Sequence, residues 1–543
     1  MPASRLSRVR AFTSFLLSVV SLSAQTAVTT GHYDNQRTGA NTHETILTPA
    51  NVSRGLFGKL AIVPVSGCIF AQPLYVPNVR TGAGRQDLVF IATTTNMVYA
   101  YDANNYSLSF RANFGIPVPS AELNPERGYY DFADCDIGDT DGPIGIVGTP
   151  VIDVPGNAMF FVANVIDQLD PPHEHRHFIH KISLSTGADL TPPVEISGTH
   201  GGATFQSWYQ LQRPALLLLK GRIYVAFASH QDQSPYAGWM FAYNTDLQQV
   251  GLFNYSPQKS GAGIWQSGGG PASDGSSIYF TTGNLAEDES DPTDNSDSIL
   301  KVDPFTLEVQ AKSSFYPEDN GWDSNFDLDL GSSRAILIPE TSQVISGSKY
   351  GDMFVVNSGD MGLAARFRAA ARYSTGYDWT GIYNGLAYWN NVIYAWPGGG
   401  GYIHGTDPGF PADTLKAFGL DQTTSTASVF ADGQTDGIGA GYQGANIVVS
   451  ANGNDPLTGI LWASVPTSNT SWLQPGYLHA YHAADFANGV FHELWNNIDL
   501  DPADKDSFLA KFNQPLVANG KVFLPTFSGK LLIYGPIPAI PAK

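Results

Sequence analysis

Charge is scarce in this chain. Asp, Glu, Lys and Arg make up 14% of its 543 residues, against about 25% in an average soluble protein. Basic residues are scarcer still, 29 against 49 acidic ones, for a net charge of −20. A surface this acidic repels nucleic acid and anionic membranes, so neither is an expected partner. There are two cysteines, Cys68 and Cys135. That excludes a dense disulfide scaffold, an adjacent Cys-Cys pair and a CxxCH haem site. No GxSxG elbow is present, and no Cys–His nucleophile is suggested. Long apolar runs are missing after the first residues, as are Pro/Ser-rich linkers and shifts in composition that would mark a second domain.

The opening residues are different. Arg5, Arg8 and Arg10 precede an apolar run from Ala11 to Val20, and Ser21, Ser23 and Ala24 follow. A basic start, a short apolar core and small residues read as a secretory signal peptide over 1–24, so a secreted, extracellular or periplasmic protein is expected. The run is too short to span a bilayer comfortably. In that oxidising setting Cys68 and Cys135, each in a loop leading into a neighbouring unit, can form a bridge between units.

What fills the space left by charge is Gly, Asn, Ser, Thr and aromatic residues, a composition of short strands and polar turns. One unit recurs roughly every 60 residues, within the range of a propeller blade with its loops. Its second strand appears eight times: 88–92, 159–163, 222–226, 277–281, 343–347, 392–396, 460–464 and 521–525. Third strands such as Met97–Asp102, Met240–Asn244 and Tyr477–Tyr481 follow, commonly ending near Asp or Asn. The expected fold is all-β, an eight-bladed propeller of four-stranded antiparallel blades over 57–536, with an arm over 25–56 and a tail over 537–543. The last unit lacks a fourth strand and Gly58–Val65 lacks a blade, so the N-terminal strand closes the ring and removes both sheet edges.

Turns between first and second strands, and between third and fourth, are short. Insertions fall at 164–177, 229–238, 283–296 and 397–411 within blades, and at 117–146, 316–332, 371–381 and 432–444 between them. Because strands alternate direction, both classes of insertion emerge on one face, where function is expected. Residues opening each innermost strand face the central channel at that end. They are Gln72, Thr149, Gln212 with Arg213, Gln266 with Ser267, Arg334, Asn384, Asn446 and Gln514. Such a ring either holds a small polar or carbohydrate-like molecule, with Arg213 and Arg334 for a carboxylate, or solvates a water-filled channel. Trp208, Trp239, Trp265, Trp322, Trp379 and Trp472 lie in or beside this face, as stacking platforms or as blade packing.

Two other clusters stand out. His173-Glu174-His175-Arg176-His177 places three imidazoles on one side of a strand, for zinc or copper or as a solvated polar arm. Asp131, Asp134, Asp136, Asp139 and Asp141 crowd one loop, and Asp319, Asp323, Asp327 and Asp329 another. Dense carboxylates suit calcium or a plain acidic surface, and the spacing fits no complete EF-hand.

Certain stretches resemble a known family. Ala100-Tyr101-Asp102 with Phe110, Thr186-Gly187 and Ala242-Tyr243-Asn244 are similar to the Ala-x-Asp-x-x-Thr-Gly-x-x-x-Trp blade motif of the pyrroloquinoline-quinone (PQQ) type, quinoprotein-alcohol-dehydrogenase-like propellers. Tyr33–Ala40, Gly238-Trp239, Gly263–Pro271 and Thr282–Asn284 resemble a secreted subgroup. The resemblance implies the fold over essentially the whole mature chain. It also raises a PQQ- and calcium-dependent alcohol or sugar dehydrogenase as an alternative to a binding scaffold, with Trp265 stacking on the quinone. A protein-interaction platform is a further alternative. The adjacent cysteines that stack on the quinone in the alcohol-oxidising members are absent here, and the family's Asp base and calcium ligands have no recognisable counterpart by motif.

Overall fold

A computed structural model describes residues 26–537 except 124–141, 170–172, 259, 285–294, 316–328, 370–380, 399–412, 422–425, 432–439, 441–442, 467–475, 487–488, 499–507 and 511. The leader at 1–24, the tail beyond 537 and Cys135 lie outside these residues. Among the described residues no helix is long and apolar enough to cross a membrane.

Eight antiparallel sheets form the ring, each running outward in chain order from a short innermost strand. The innermost strands of blades 1 to 8 are Leu74–Thr81, Val151–Asp153, Leu217–Leu219, Ala272–Ser273, Ile336–Leu337, Leu386–Trp389, Asn446–Ser450 and Leu516–Ala518. Blade 8 takes its fourth strand from the other end of the chain. Phe57–Pro64 pairs with Lys530–Pro536, from Phe57 opposite Pro536 to Pro64 opposite Lys530. Each blade is sandwiched between two others, so its strands are apolar on both faces. In blade 7, Leu461 and Ala463 pack toward blade 6, while Ile460 and Trp462 pack toward blade 8. The core is therefore a set of wedges between blades.

Two recurring devices sit in the repeat. The third residue of the second strand is tyrosine in blades 3, 4 and 6. Each donates its hydroxyl to a carbonyl of the next blade: Tyr224 to Pro304 at 2.6 Å, Tyr279 to Ser358 at 3.2 Å and Tyr394 to Ala483 at 2.9 Å. The Asp or Asn ending a third strand folds the next turn by accepting from its amides, as Asp102 does from Asn104 and Asn105, and Asp303 from Phe305 and Thr306. Gly187 shows why the motif has glycine there: φ is +72°, and a Cβ would lie 2.5 Å from the Phe110 ring of blade 1.

A propeller leaves the inner edge of every blade open to the channel. Here the N-terminal arm fills that edge. Val28 exchanges two bonds with Tyr75 of blade 1, and Thr29 accepts from Ile152 of blade 2. Asn35, Gln36, Thr38 and Gly39 accept from Ser273, Leu337, Tyr388 and Val449 of blades 4, 5, 6 and 7. Asn35 Nδ2 donates to Leu218 of blade 3, and Tyr33 bonds both Pro515 and Val517 of blade 8. Arg37, fully buried, binds the arm to itself and to two blades. It donates to Thr30 Oγ1 (2.6 Å), Gly31 O (2.7 Å), Leu216 O (3.1 Å) and Pro271 O (3.0 Å).

Replacing Tyr394 by Phe should cost about 1 kcal/mol in denaturant unfolding, the net worth of one hydrogen bond. Arg37→Met should cost at least about 3 kcal/mol, because several buried acceptors lose their donor together. Arg37→Lys should not rescue it, since an ammonium lacks the planar fork. A loss below about 1 kcal/mol for Arg37→Met would show that the arm is not a structural part of the ring.

Candidate functional site

The residues opening the innermost strands do gather at one end of the channel, and they divide into two arcs. Six blades supply the first arc. Asn384 Nδ2 donates to Asn446 Oδ1 (3.1 Å), Gln514 Oε1 (3.1 Å) and Phe512 O (3.0 Å). Its Oδ1 accepts from Arg334 Nη1 (3.0 Å) and meets His32 Nε2 (3.0 Å). Gln514 donates to Gln72 Oε1, which also accepts from the His32 amide at 2.8 Å. The Gln72 amide in turn donates to Thr149 Oγ1 at 2.8 Å. Since Asn384 Oδ1 is an acceptor, His32 carries its proton on Nε2. Burial and the cations Arg334 and Arg37 push its pKa well below the ordinary value, so the ring is neutral.

Arg334 belongs wholly to this arc. Its three guanidinium nitrogens donate to Arg37 O, Asn384 Oδ1 and Leu386 O, and it is fully buried. Burial and neighbouring Arg37 bring its pKa down to about 9, while burial brings Arg37 to about 10 against the pull of Asp34. Arg334 thus anchors the arm to blade 6 and is not open to a ligand. Its charge remains beneath the channel end.

The second arc is blades 3 and 4, and more of its polar atoms are unpartnered than in the first, where Gln72 Nε2 and His32 Nδ1 also lack a partner. Gln266 and Ser267 are fully buried, at positive φ of 50° and 37°, in a tight turn completed by Gly268 at 78°. A Cβ on Gly268 would meet Phe512 O at 2.2 Å, so that turn needs glycine. Both polar atoms of the Gln266 amide, the Ser267 hydroxyl and the Trp265 indole N–H are buried without a partner, as is Gln212 Oε1. Non-glycine residues in the left-handed region cost of the order of 1 kcal/mol or more each, and unpaired buried polar atoms cost as much again. Such features gather where a ligand or ordered water completes the bonding. Arg213 crosses this arc, with its guanidinium 5.1 Å from the Trp265 ring centre and 4.8 Å from that of Phe512. Tyr236 meets Trp265 edge-on at 6.4 Å. Phe512, Tyr236 and the arm residues His32 and Arg37 were not among the residues singled out from sequence.

The histidine arm is solvated on one side, at Glu174 and Arg176, and forms no metal centre among the described residues. His175 and His177 lie on blade 2's third strand, His175–Ser183, and turn toward blade 3. His177 is buried between Phe205 and Phe227, and His175 lies 4.2 Å from the Trp208 ring. No group of three or more His, Cys, Asp or Glu there has the geometry to hold a metal. The acidic loop carrying Asp134, Asp136, Asp139 and Asp141 lies outside the described residues, as do Trp322, Trp379 and Trp472. Of the second acidic cluster, Asp329 is buried and accepts from Ser332 Oγ at 3.1 Å with Lys349 Nζ at 3.5 Å. Cys68 is buried and disulfide-bonded, and Cys135 is the only other cysteine in the sequence.

Known structures share this architecture. The chain is similar to a europium-containing methanol dehydrogenase at a TM-score of 0.60 and 13% identity, covering 94% of this chain and 98% of that one. It is similar to a quinohemoprotein alcohol dehydrogenase from Comamonas testosteroni at 0.56 and 12%, covering 95% and 82%. A quinohemoprotein alcohol dehydrogenase from Pseudomonas putida matches at 0.57 and 13%, covering 95% and 81%. No protein-family model and no curated protein matches the sequence. The chain therefore shares the eight-bladed propeller fold of these dehydrogenases.

Two buried imidazoles and one half-buried one give a pH signature. Burial holds His32 and His177 well below the ordinary histidine range and brings His175 down to about 4. Their folded-state values lie below the unfolded value, so below pH ~6.5 the unfolded chain takes up more protons and stability falls. Unfolding free energy should therefore decline as pH drops from about 7 toward about 4, by up to ~1.4 kcal/mol per unit for each histidine. His177→Gln should flatten that decline, as read from urea unfolding at several pH values. An unchanged slope would place His177 in water.

Proposed function

We propose that the protein is a ligand-binding propeller that seats a small polar, carbohydrate-like molecule bearing a carboxylate on the blade 3–4 side of the channel end. The observation that carries this reading is the set of unpartnered buried donors and acceptors at Trp265, Gln266 and Ser267, beside the guanidinium of Arg213. An amide with both atoms unspent, a hydroxyl and an indole N–H complement a polyhydroxylated molecule. Arg213, with the charges of Arg334 and Arg37 below, favours an anionic group. The exported setting expected from the leader, and the disulfide at Cys68, support a ligand met outside the cytoplasm.

The same residues do not fit PQQ as they are arranged. A flat quinone needs an open aromatic face, and Trp265 is 7% exposed, with Arg213 over its ring and Tyr236 at its edge. Arg334 is fully buried, with all three guanidinium nitrogens bonded to protein oxygens, and is not open to a quinone carboxylate. The fold alone carries no dehydrogenase assignment, and quinone binding is the competing arm of the experiment.

Tryptophan fluorescence and thermal shift, followed together, separate the two. Titration with aldonic and uronic acids should raise the melting temperature. Arg213→Met and Gln266→Ala should each weaken that binding by about tenfold or more, one charge-assisted or one buried bond each. Tight, calcium-dependent quenching by PQQ at about micromolar concentration, with no response to the sugar acids, would overturn this reading in favour of the quinoprotein one.

A further inference from the structure

A second concavity lies on the same face, farther out along blade 3. It encloses about 700 Å³, within the ~300–1,000 Å³ usual for small-molecule sites. Its rigid parts are Trp239 and Asn254, cross-strand partners at the ends of blade 3's third and fourth strands. Three loop segments wall it: the hairpin at Thr199–His200 and Ala203–Thr204 with Gln206 beyond, the turn at 234–237, and Ser256, Pro257, Gln258 and Ser260. These segments are tied to the blade and to one another. His200 Nδ1 accepts from the Asn254 amide at 3.3 Å, Gln258 Nε2 donates to Gly201 O at 3.1 Å, and Ser260 Oγ accepts from the Tyr236 amide at 3.1 Å. The cleft is thus built as a unit.

Its chemistry differs from that of the channel end. Among the described residues that line it none is charged, and they offer amides, hydroxyls and aromatic rings. Asn254 is 1% exposed; its Oδ1 accepts from the Ser256 amide at 2.8 Å, and its Nδ2 is buried with no partner. A buried, unspent donor in a roomy polar cleft is the mark of a site whose bonding is completed from outside.

We infer that this cleft is a separate binding site for a neutral oligosaccharide. Uncharged amides and hydroxyls match sugar hydroxyls in both donor and acceptor sense, and none of the described residues lining the cleft supplies a cation for an acidic sugar. The site does not depend on the channel-end reading: it shares neither Arg213 nor Gln266, Tyr236 alone touches both, and its ligand is neutral where the one assigned there is acidic.

The test uses the full mature protein on an array of neutral and acidic oligosaccharides, with hits measured by calorimetry. A neutral oligosaccharide should bind, with Kd in the range of about 10 μM to 1 mM. Asn254→Asp retains the acceptor for Ser256 but removes the unspent donor, and should weaken binding by about tenfold or more. Thr204→Trp, at an exposed lining position, should abolish binding by filling the cleft. Gln206→Ala, also exposed, should weaken binding at an unchanged melting temperature, which keeps the test valid if Asn254→Asp fails to fold. Binding by acidic glycans alone, no neutral binder on the array, or a neutral binder unaffected by both Thr204→Trp and Gln206→Ala would each overturn the assignment.

Discussion

Everything at the working end of this propeller depends on how the inner edges of the blades are closed. An eight-bladed ring is wide enough to leave the N–H and C=O groups of eight innermost strands facing a channel, and water alone would otherwise have to satisfy them. The arm from Val28 to Asn41 meets this need by crossing from blade to blade and pairing with each in turn. Because its bonds are mostly main-chain, the arm acts like a shared extra strand bent across the axis. The bends require left-handed backbone at His32, Tyr33, Arg37 and Gly39, and Arg37 holds them from within.

Once the arm is in place, the polar residues above it no longer have equal freedom. His32 from the arm organises Gln72 and Asn384, Arg37 offers its carbonyl to Arg334, and the network runs on to Thr149, Asn446 and Gln514. Six blades are spent on holding the plug. Blades 3 and 4 are not drawn into this network, and there the backbone is strained and the side chains are unspent. Stored strain is affordable only where surrounding structure enforces it, and the glycine-rich run at 268–270 packs directly against Phe512, Arg334 and Ala215.

Much of the fold was legible because its causes are local. A strand apolar on both faces, a tight turn and an Asp or Asn that folds the next turn lie within a few residues of one another, and they recur eight times. Ring closure could be read from a surplus strand at one end and a missing one at the other. The identity of the channel-end residues was readable too, since each opens an innermost strand. What they do there was not. Asn384 meets Gln514 across 130 residues and His32 across 352, and no local pattern says which amide finds a partner. The reading of Arg213 and Arg334 as an equivalent pair fails for that reason: one lies across Trp265 while the other is consumed by carbonyls. The alternation of His173, His175 and His177 correctly implied one shared side. It could not show that this side is the wedge between blades 2 and 3, where Phe205 and Phe227 exclude water from His177.

The unpartnered side chains on blades 3 and 4 also bear on where a ring of this fold leaves polar groups available. A ring whose channel were open would present one symmetric site, lined by every blade alike. Plugging it with an arm that bonds unevenly breaks that symmetry and moves the available groups to one sector. Tyr236 then stands between two concavities in this sector, lining the outer cleft and touching Trp265 at the channel end. The hairpin at 199–204 and the long insertion at 229–238 build the outer wall without disturbing the wedges beneath, because they leave strands whose apolar faces are already buried. Loop growth on a closed ring costs little stability, so blade 3 could acquire a second, differently charged pocket while the arm kept the rest of the channel shut.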